Sequence, residues 1–268
     1  MKKLLGLLVV LVAAMAMFTT GASAVRNGQP DNGRHPYVGL LVFDTAAGPT
    51  WRCSGALLSP TVVLTAGHCT DGAVAARIWM DEVVQGNPEY PFGGVTSYEG
   101  TPYTYPDFCI GCGGGLPGFA YRDIGIVVLS EPVPTSVVDE YAVLPTAGLV
   151  DSLARGTSVD LVGYGVSEQL HGGGPPVWTG PRVRLFAPTQ LVSLNFVHAA
   201  EFIRLSANPA QGKGGTCFGD SGGPDLLAGT NTVLAVNSYV TNSNCAGVTY
   251  SQRIDIPEVL AWIESFRS

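Results

Sequence analysis

Short runs of β-branched and aliphatic residues, closed off by Gly, Pro, Asn or Asp, recur along most of the chain. Tyr37 to Phe43, Thr61 to Thr65, Ala75 to Met80, Ile124 to Leu129, Val159 to Val162, Val183 to Leu185 and Val233 to Val240 read as strands, because such side chains suit a half-buried pleated surface. Almost no helical periodicity separates them, which predicts an all-β protein built from antiparallel barrels or a sandwich. One helix is expected, at the C-terminus. There Asp255 can cap, Pro257 can occupy the first turn, and Val259, Trp262, Ile263 and Phe266 recur on one face. Trp262 reads as a core residue of that helix. Two stretches rich in Gly and Pro, Gln85 to Tyr121 and Gly172 to Pro181, read as long surface loops, and a break between two half-domains is expected within 133–156.

The first residues follow another logic. Lys2 and Lys3, an apolar run from Leu4 to Phe18 and the small residues Ala22-Ser23-Ala24 describe a secretory signal peptide over residues 1–24. Its lysine-led start has the look of a bacterial leader. The apolar run falls short of the roughly 20 residues a membrane span needs, so a secreted, soluble, monomeric protein without a membrane contact is expected. Residues 25–268 are long enough for one large all-β domain or two fused halves. Without Lys2 and Lys3 they carry 12 basic against 21 acidic residues, a net charge of −9, which argues against nucleic acid as a partner. Six cysteines in an exported chain fit three disulfides better than a metal site.

Three short motifs carry the chemistry: Thr65-Ala66-Gly67-His68-Cys69, then Asp123-Ile124-Gly125-Ile126, then Gly219-Asp220-Ser221-Gly222-Gly223-Pro224. A serine hydroxyl is a poor nucleophile at neutral pH, so acyl transfer needs a base within hydrogen-bond reach and a third group to orient that base. His68 can take the proton of Ser221, and Asp123 can hold the other ring nitrogen. Gly219 and Ser221 can offer backbone N–H groups to the developing oxyanion, since glycines let the chain turn sharply without intruding side chains. No cofactor and no metal is needed for this chemistry. Residues 219–223 also match G-x-S-x-G, but an α/β-hydrolase needs a histidine after the serine, and the last one here is His198. The subtilisin order could use Asp31 or Asp44, yet the alternating helices of that fold are missing from the pattern. His35, His171 and His198 lie outside any motif and read as structural residues.

The three motifs, in this order, resemble the trypsin/chymotrypsin family of serine peptidases, and the resemblance covers nearly all of residues 25–268. Gly163-Tyr164-Gly165 is similar to the family's Gly-Trp-Gly segment, Ser238-Tyr239 to its Ser-Trp pair, and Trp262-Ile263 falls where the terminal helix would be. The resemblance implies two six-stranded antiparallel barrels with the active site in the cleft between them, acting as a secreted endopeptidase on protein or peptide substrates. It also implies the pairs Cys53 with Cys69 and Cys217 with Cys245, which leaves Cys109 and Cys112 to close a tight local loop beside the cleft.

By the same resemblance, Val25-Arg26-Asn27-Gly28 looks like the activating N-terminus, whose ammonium would pair with Asp220. Since Val25 follows Ala24, cleavage of the leader would itself release that terminus. Gly215 stands six positions before Ser221, where tryptic members carry an acid, so a preference for Lys or Arg is not expected. Val240, after Ser238-Tyr239, replaces a common glycine and should narrow the pocket toward small or medium apolar side chains. Gly67 and Gly125 stand where alanines are usual. The competing expectation is a silent binding protein that keeps the fold without the chemistry; such members lack a motif residue, and none is missing here.

Overall fold

The computed structural model describes residues 25, 27–112, 120–166, 168–170, 177–196, 198–241 and 245–267, with the side chains of 168–170, 177–179 and 209 left aside. The expected leader, residues 113–119 of the first expected loop, His171 and residues 172–176 of the second expected loop lie outside the described residues.

Six strands close a first barrel in the order β2–β3–β4–β9–β6–β5: β2 (Val38–Thr45), β3 (Gly48–Ser59), β4 (Val62–Thr65), β5 (Ala75–Trp79), β6 (Ser97–Thr104) and β9 (Gly125–Leu129). Every junction is antiparallel. Closure leaves no open edge and buries Leu40, Leu41, Leu57, Leu64, Ile78, Trp79 and Ile126. At about 1.5–3 kcal/mol for each large apolar side chain taken from water, these residues dominate the stability of this half. β6 lies inside the stretch expected to be a loop. Its Gly and Pro mask the strand in the sequence, and the structure explains the glycine: a Cβ on Gly100 would come within 2.7 Å of the Val127 side chain and the Val128 carbonyl.

The second half is a sheet in the order β1–β13–β10–β15–β16–β17–β14. Its strands are β1 (Gln29–Pro30), β10 (Ser158–Gly163), β13 (Leu185–Gln190), β14 (Phe202–Ala207), β15 (Pro224–Leu227), β16 (Val233–Val240) and β17 (Gly247–Arg253). An antiparallel bridge between Leu191 and Leu205 brings the β13 and β14 sides together, so six strands roll into the second barrel and β1 is a short addition. Two small hairpins complete the strands: β7 (Cys109–Ile110) with β8 (Ala120–Tyr121), and β11 (Glu168–Leu170) with β12 (Val177–Thr179).

Polar groups join the halves. Buried Arg184, next to β13, donates to Asp31 and to the carbonyls of Val38 and Met80. Asp31 also holds His35, whose Nδ1 lies 2.5 Å away. A buried guanidinium is tolerated because its donors are matched in this way. The short helix α1 (Gly67–Thr70) and the terminal helix α2 (Pro257–Glu264) are the helical elements of note. α2 buries Val259 and Ile263 and lays Trp262 against Tyr105, with ring centroids 5.2 Å apart. The expected cap does not form: Ile256 holds the cap position, and the Asp255 carboxylate is taken by Arg253 and the Val150 N–H. Among the described residues no helix is long and apolar enough to cross a membrane.

Candidate active site

His68 sits on α1, directly after β4, and Asp123 directly before β9, the strand that pairs with β4. That pairing brings the two residues together. The backbone N–H of His68 donates to Asp123 Oδ1 at 2.7 Å, and His68 Nδ1 lies 2.8 Å from Oδ2. Asp123 is fully buried, and the Ser238 hydroxyl and the Gln252 side chain complete its surroundings, the first donating to Oδ2 and the second accepting from the Asp123 N–H at 3.0 Å. Burial alone would raise the Asp123 carboxyl, but the charge and hydrogen bonds of His68 and the Ser238 hydroxyl outweigh it and hold the carboxyl below its usual range. The imidazole moves the other way: burial opposes its charge, yet Asp123 holds His68 above the ordinary histidine range.

Ser221 lies on a loop clamped from both sides. Its carbonyl accepts from the Ser54 N–H at 2.8 Å, and the Gly219 carbonyl accepts from the Ser54 hydroxyl at 3.0 Å. Gly222 and Gly223 bond to the backbone of Asn237 on β16. A Cβ on Gly222 would fall 2.1 Å from Thr65 Oγ1 and 2.7 Å from the Ala66 nitrogen, so only glycine lets the Ser221 loop rest against the segment that leads into His68. Within this loop the N–H groups of Asp220, Gly222 and Gly223 are engaged, whereas those of Gly219 and Ser221 donate to no described residue. Gly219 adopts φ +95°, a backbone conformation that favours glycine. The Ser221 hydroxyl makes no hydrogen bond among the described residues.

Asp220 points the opposite way, into the protein. It accepts from the Gly165 N–H at 2.7 Å and the Cys217 N–H at 2.9 Å. Burial pushes its carboxyl up to about 7, with those donors and the charge of Arg52 in partial compensation. Cβ atoms on Gly163 or Gly165 would each meet this carboxylate at 2.4 Å, which is the physical reason for glycine on both sides of Tyr164. Val25 is fully buried in the second barrel's core with Val159, Leu161 and Leu185. Asp225, just beyond the loop, is also buried, and desolvation holds its carboxyl well above the usual range.

All three disulfides form between the expected partners. Cys53–Cys69 ties β3 to α1, Cys217–Cys245 ties the Ser221 loop to the segment after β16, and Cys109–Cys112 closes a turn at β7. The sulfurs of the first lie near the His68 ring, but being bonded to each other they offer no thiolate to a metal.

Beside Ser221 opens a cavity of about 160 Å³ lined by Thr216, Cys217, Phe218, Ser238, Tyr239 and Val240. Ser238, Tyr239 and Val240 thus border the cavity next to Ser221. Gly215 does not line it: a Cβ there would meet the Ala207 Cβ at 2.4 Å, so this glycine serves close packing of the wall behind. Thr216 and Phe218, which sequence reasoning passed over, take its place; their adjacency to Cys217 was the available signal. Thr216 donates to Asn237 Oδ1 at 3.0 Å. β15 pairs with β16 only as far as Val236, while β17 pairs with Tyr239 and Val240 on the other side.

Two β-barrels carrying a histidine–aspartate pair and a clamped serine define the double-barrel fold of the serine protease class. Residues 25–263 match the family model described as Trypsin, and the chain belongs to that family. It is 24% identical over 255 residues to the collagenase of Hypoderma lineatum, covering 88% of each chain. It is 28% identical over 233 residues to the venom serine protease Bi-VSP of Bombus ignitus, covering 81% of this chain and 61% of that one. Among solved structures it resembles HL collagenase, with a TM-score of 0.68 at 17% identity over 93% of this chain and 97% of that one. Human heparin binding protein shares the fold too, with a TM-score of 0.62 at 17% identity over 90% and 96% of the two chains. The two sequence relatives are insect proteins, and the bacterial source suggested by the leader gains no support from them.

Proposed function

We propose that this protein is a secreted serine endopeptidase, with Ser221 as nucleophile, His68 as general base and acid, and Asp123 as the group that orients the imidazole. The observation that carries the reading is the pair of unengaged N–H groups at Gly219 and Ser221, next to a serine whose loop rests on the His68 segment. Ser221 Oγ attacks the scissile carbonyl while its proton passes to His68 Nε2; Asp123, across the ring at Nδ1, stabilises the imidazolium. The carbonyl oxygen gains charge and receives the two N–H groups. Collapse breaks the C–N bond, and His68 returns the proton to the departing amine. Water then repeats the sequence on the acyl-enzyme and frees Ser221.

The acyl side of the substrate lies extended alongside residues 238–240 of β16, with one side chain in the neighbouring cavity. Among the described residues the lining holds no carboxylate, so Lys or Arg there would be buried unpaired; Phe218, Tyr239 and Val240 favour a small or medium apolar side chain. Release of the leader at Ala24 frees the Val25 ammonium to pair with Asp220 as an activation step, and the product acts as a monomer on peptides or proteins.

The test is a fluorophosphonate probe on secreted, N-terminally sequenced protein. Label on Ser221, lost in His68→Ala, is the expected result. A folded chain that begins at Val25 and takes no label would instead support the silent binding protein.

A further inference from the structure

The charge of Arg52 acts through space on buried Asp220, where it offsets part of the cost of burial, but no hydrogen bond joins the two. The half-buried Arg52 guanidinium makes no ion pair or hydrogen bond with any described residue, although the chain holds more carboxylates than cations. Three other arginines that are buried or nearly so each pair with a carboxylate: Arg77 with Asp44, Arg184 with Asp31 and Arg253 with Asp255. Arg52 Nε lies 3.2 Å from where a Cβ of Gly219 would stand, so the charge borders the backbone at Gly219. It also lines a groove of about 340 Å³ together with Thr50, Trp51 and Tyr90. The walls of that groove are fixed: the Trp51 indole N–H donates to the Cys69 carbonyl at 2.9 Å, and Tyr90 packs on Trp79 and under the Arg182 guanidinium.

The groove lies on the leaving-group side of the reaction. The side chain of the acyl half occupies the cavity on the β16 flank of Ser221, whereas Arg52 is on β3, the flank that bonds Ser221 and Gly219 through Ser54. A peptide that enters along 238–240 and passes the serine leaves across Arg52. An extended chain advances about 3.3 Å per residue, so the first three residues beyond the scissile bond are within reach of the guanidinium.

We propose that Arg52 forms an acid-selective subsite for the leaving half of the substrate, taking an Asp or Glu side chain within the first three residues after the scissile bond. The proposal rests on the peptidase reading above. Because the rest of the surface is net negative, such a residue gains attraction here and meets repulsion on most other approaches.

The experiment uses internally quenched peptides that are identical except for Glu, Gln or Lys at each of those three positions, cleaved by the chain beginning at Val25. The readout is the ratio of kcat/KM values within each enzyme, which loss of overall activity does not alter. Glu over Gln should be favoured about fivefold to tenfold at one position, and less so as salt is raised. The ratio should approach one in Arg52→Gln and invert toward Lys in Arg52→Glu. Cleavage with equal rates for Glu, Gln and Lys at all three positions, or a Glu preference that survives Arg52→Gln, would overturn the subsite alone. No cleavage of any peptide, together with no fluorophosphonate label on Ser221, would overturn the peptidase reading and the subsite with it.

Discussion

His68 is bonded to Asp123 twice, through its backbone N–H at 2.7 Å and through Nδ1 at 2.8 Å. One contact sets where the histidine stands, and the other sets which ring nitrogen carries the proton. Asp123→Asn keeps the size of the side chain but can present an amide N–H to the ring and favour the wrong tautomer. Turnover should fall by about 10⁴, as in the protease whose triad serves as the general template. Steady-state kinetics on a chromogenic peptide check this.

Ser238 supplies a second hydroxyl donor to the same buried oxygen. Ser238→Ala should leave the fold intact and remove one charge-assisted bond, worth about 1.5–3 kcal/mol. With less donation Asp123 should ionise at higher pH, and kcat should fall about tenfold or more. A combined pH–rate profile and thermal melt separates this from simple unfolding.

Activity requires neutral His68, and Asp123 holds its pKa above the ordinary histidine value. The acid limb of kcat/KM should therefore lie above that value, with rate rising as pH rises through it. The same group contributes stability that is fully present below its unfolded pKa and fades as pH climbs through the folded one. Removing the partner by Asp123→Ala should shift the NMR titration of His68 downward.

Asp220 has the opposite consequence. In the uncut chain its carboxyl is raised from 3.8 to about 7 by burial, so the folded state favours the protonated form. Stability should drop by roughly 4 kcal/mol as pH rises from 4 to above 7. Asp220→Asn should lessen that drop, and so should release of the Val25 ammonium if it pairs as proposed. Chemical denaturation of the uncut and processed chains at several pH values measures it.

Gly165→Ala places a methyl group 2.4 Å from the Asp220 carboxylate, and Gly222→Ala places one 2.1 Å from Thr65 Oγ1 at φ +77°. Each should cost about 1–3 kcal/mol or more by overpacking and should displace the Ser221 loop. Fluorophosphonate labelling should fall in both well before the melting temperature reaches that of the unfolded-prone control Cys53→Ala/Cys69→Ala, for which about 3 kcal/mol is expected.

The sequence made most of the site legible because its chemistry is local. Three short motifs in a fixed order name His68, Asp123 and Ser221, and alternating β-branched runs locate β2, β4, β5, β9, β10 and β16 to within a few residues. What it hid was non-local. β6 was concealed by Gly100 and Pro102, whose tolerance depends on the facing Val127 and Val128. Asp255 has the composition of a cap, yet Arg253, two residues earlier, claims it once both are buried. Gly215 was assigned to the cavity by counting back from Ser221, but the packing of Ala207, on another strand, turns the wall so that Thr216 faces inward. Arg52 has no motif at all; its place beside Gly219 follows from barrel closure.

The extended backbone at residues 238–240, proposed above to receive the substrate, also bears on which proteins can be attacked. A strand accepts only a partner in extended form, and chain already committed to helix or to its own sheet cannot lie there. Susceptible sites in a folded target would then be set by how cheaply a stretch of about half a dozen residues peels away, so that loop mobility in the victim matters as much as the identity of its side chains.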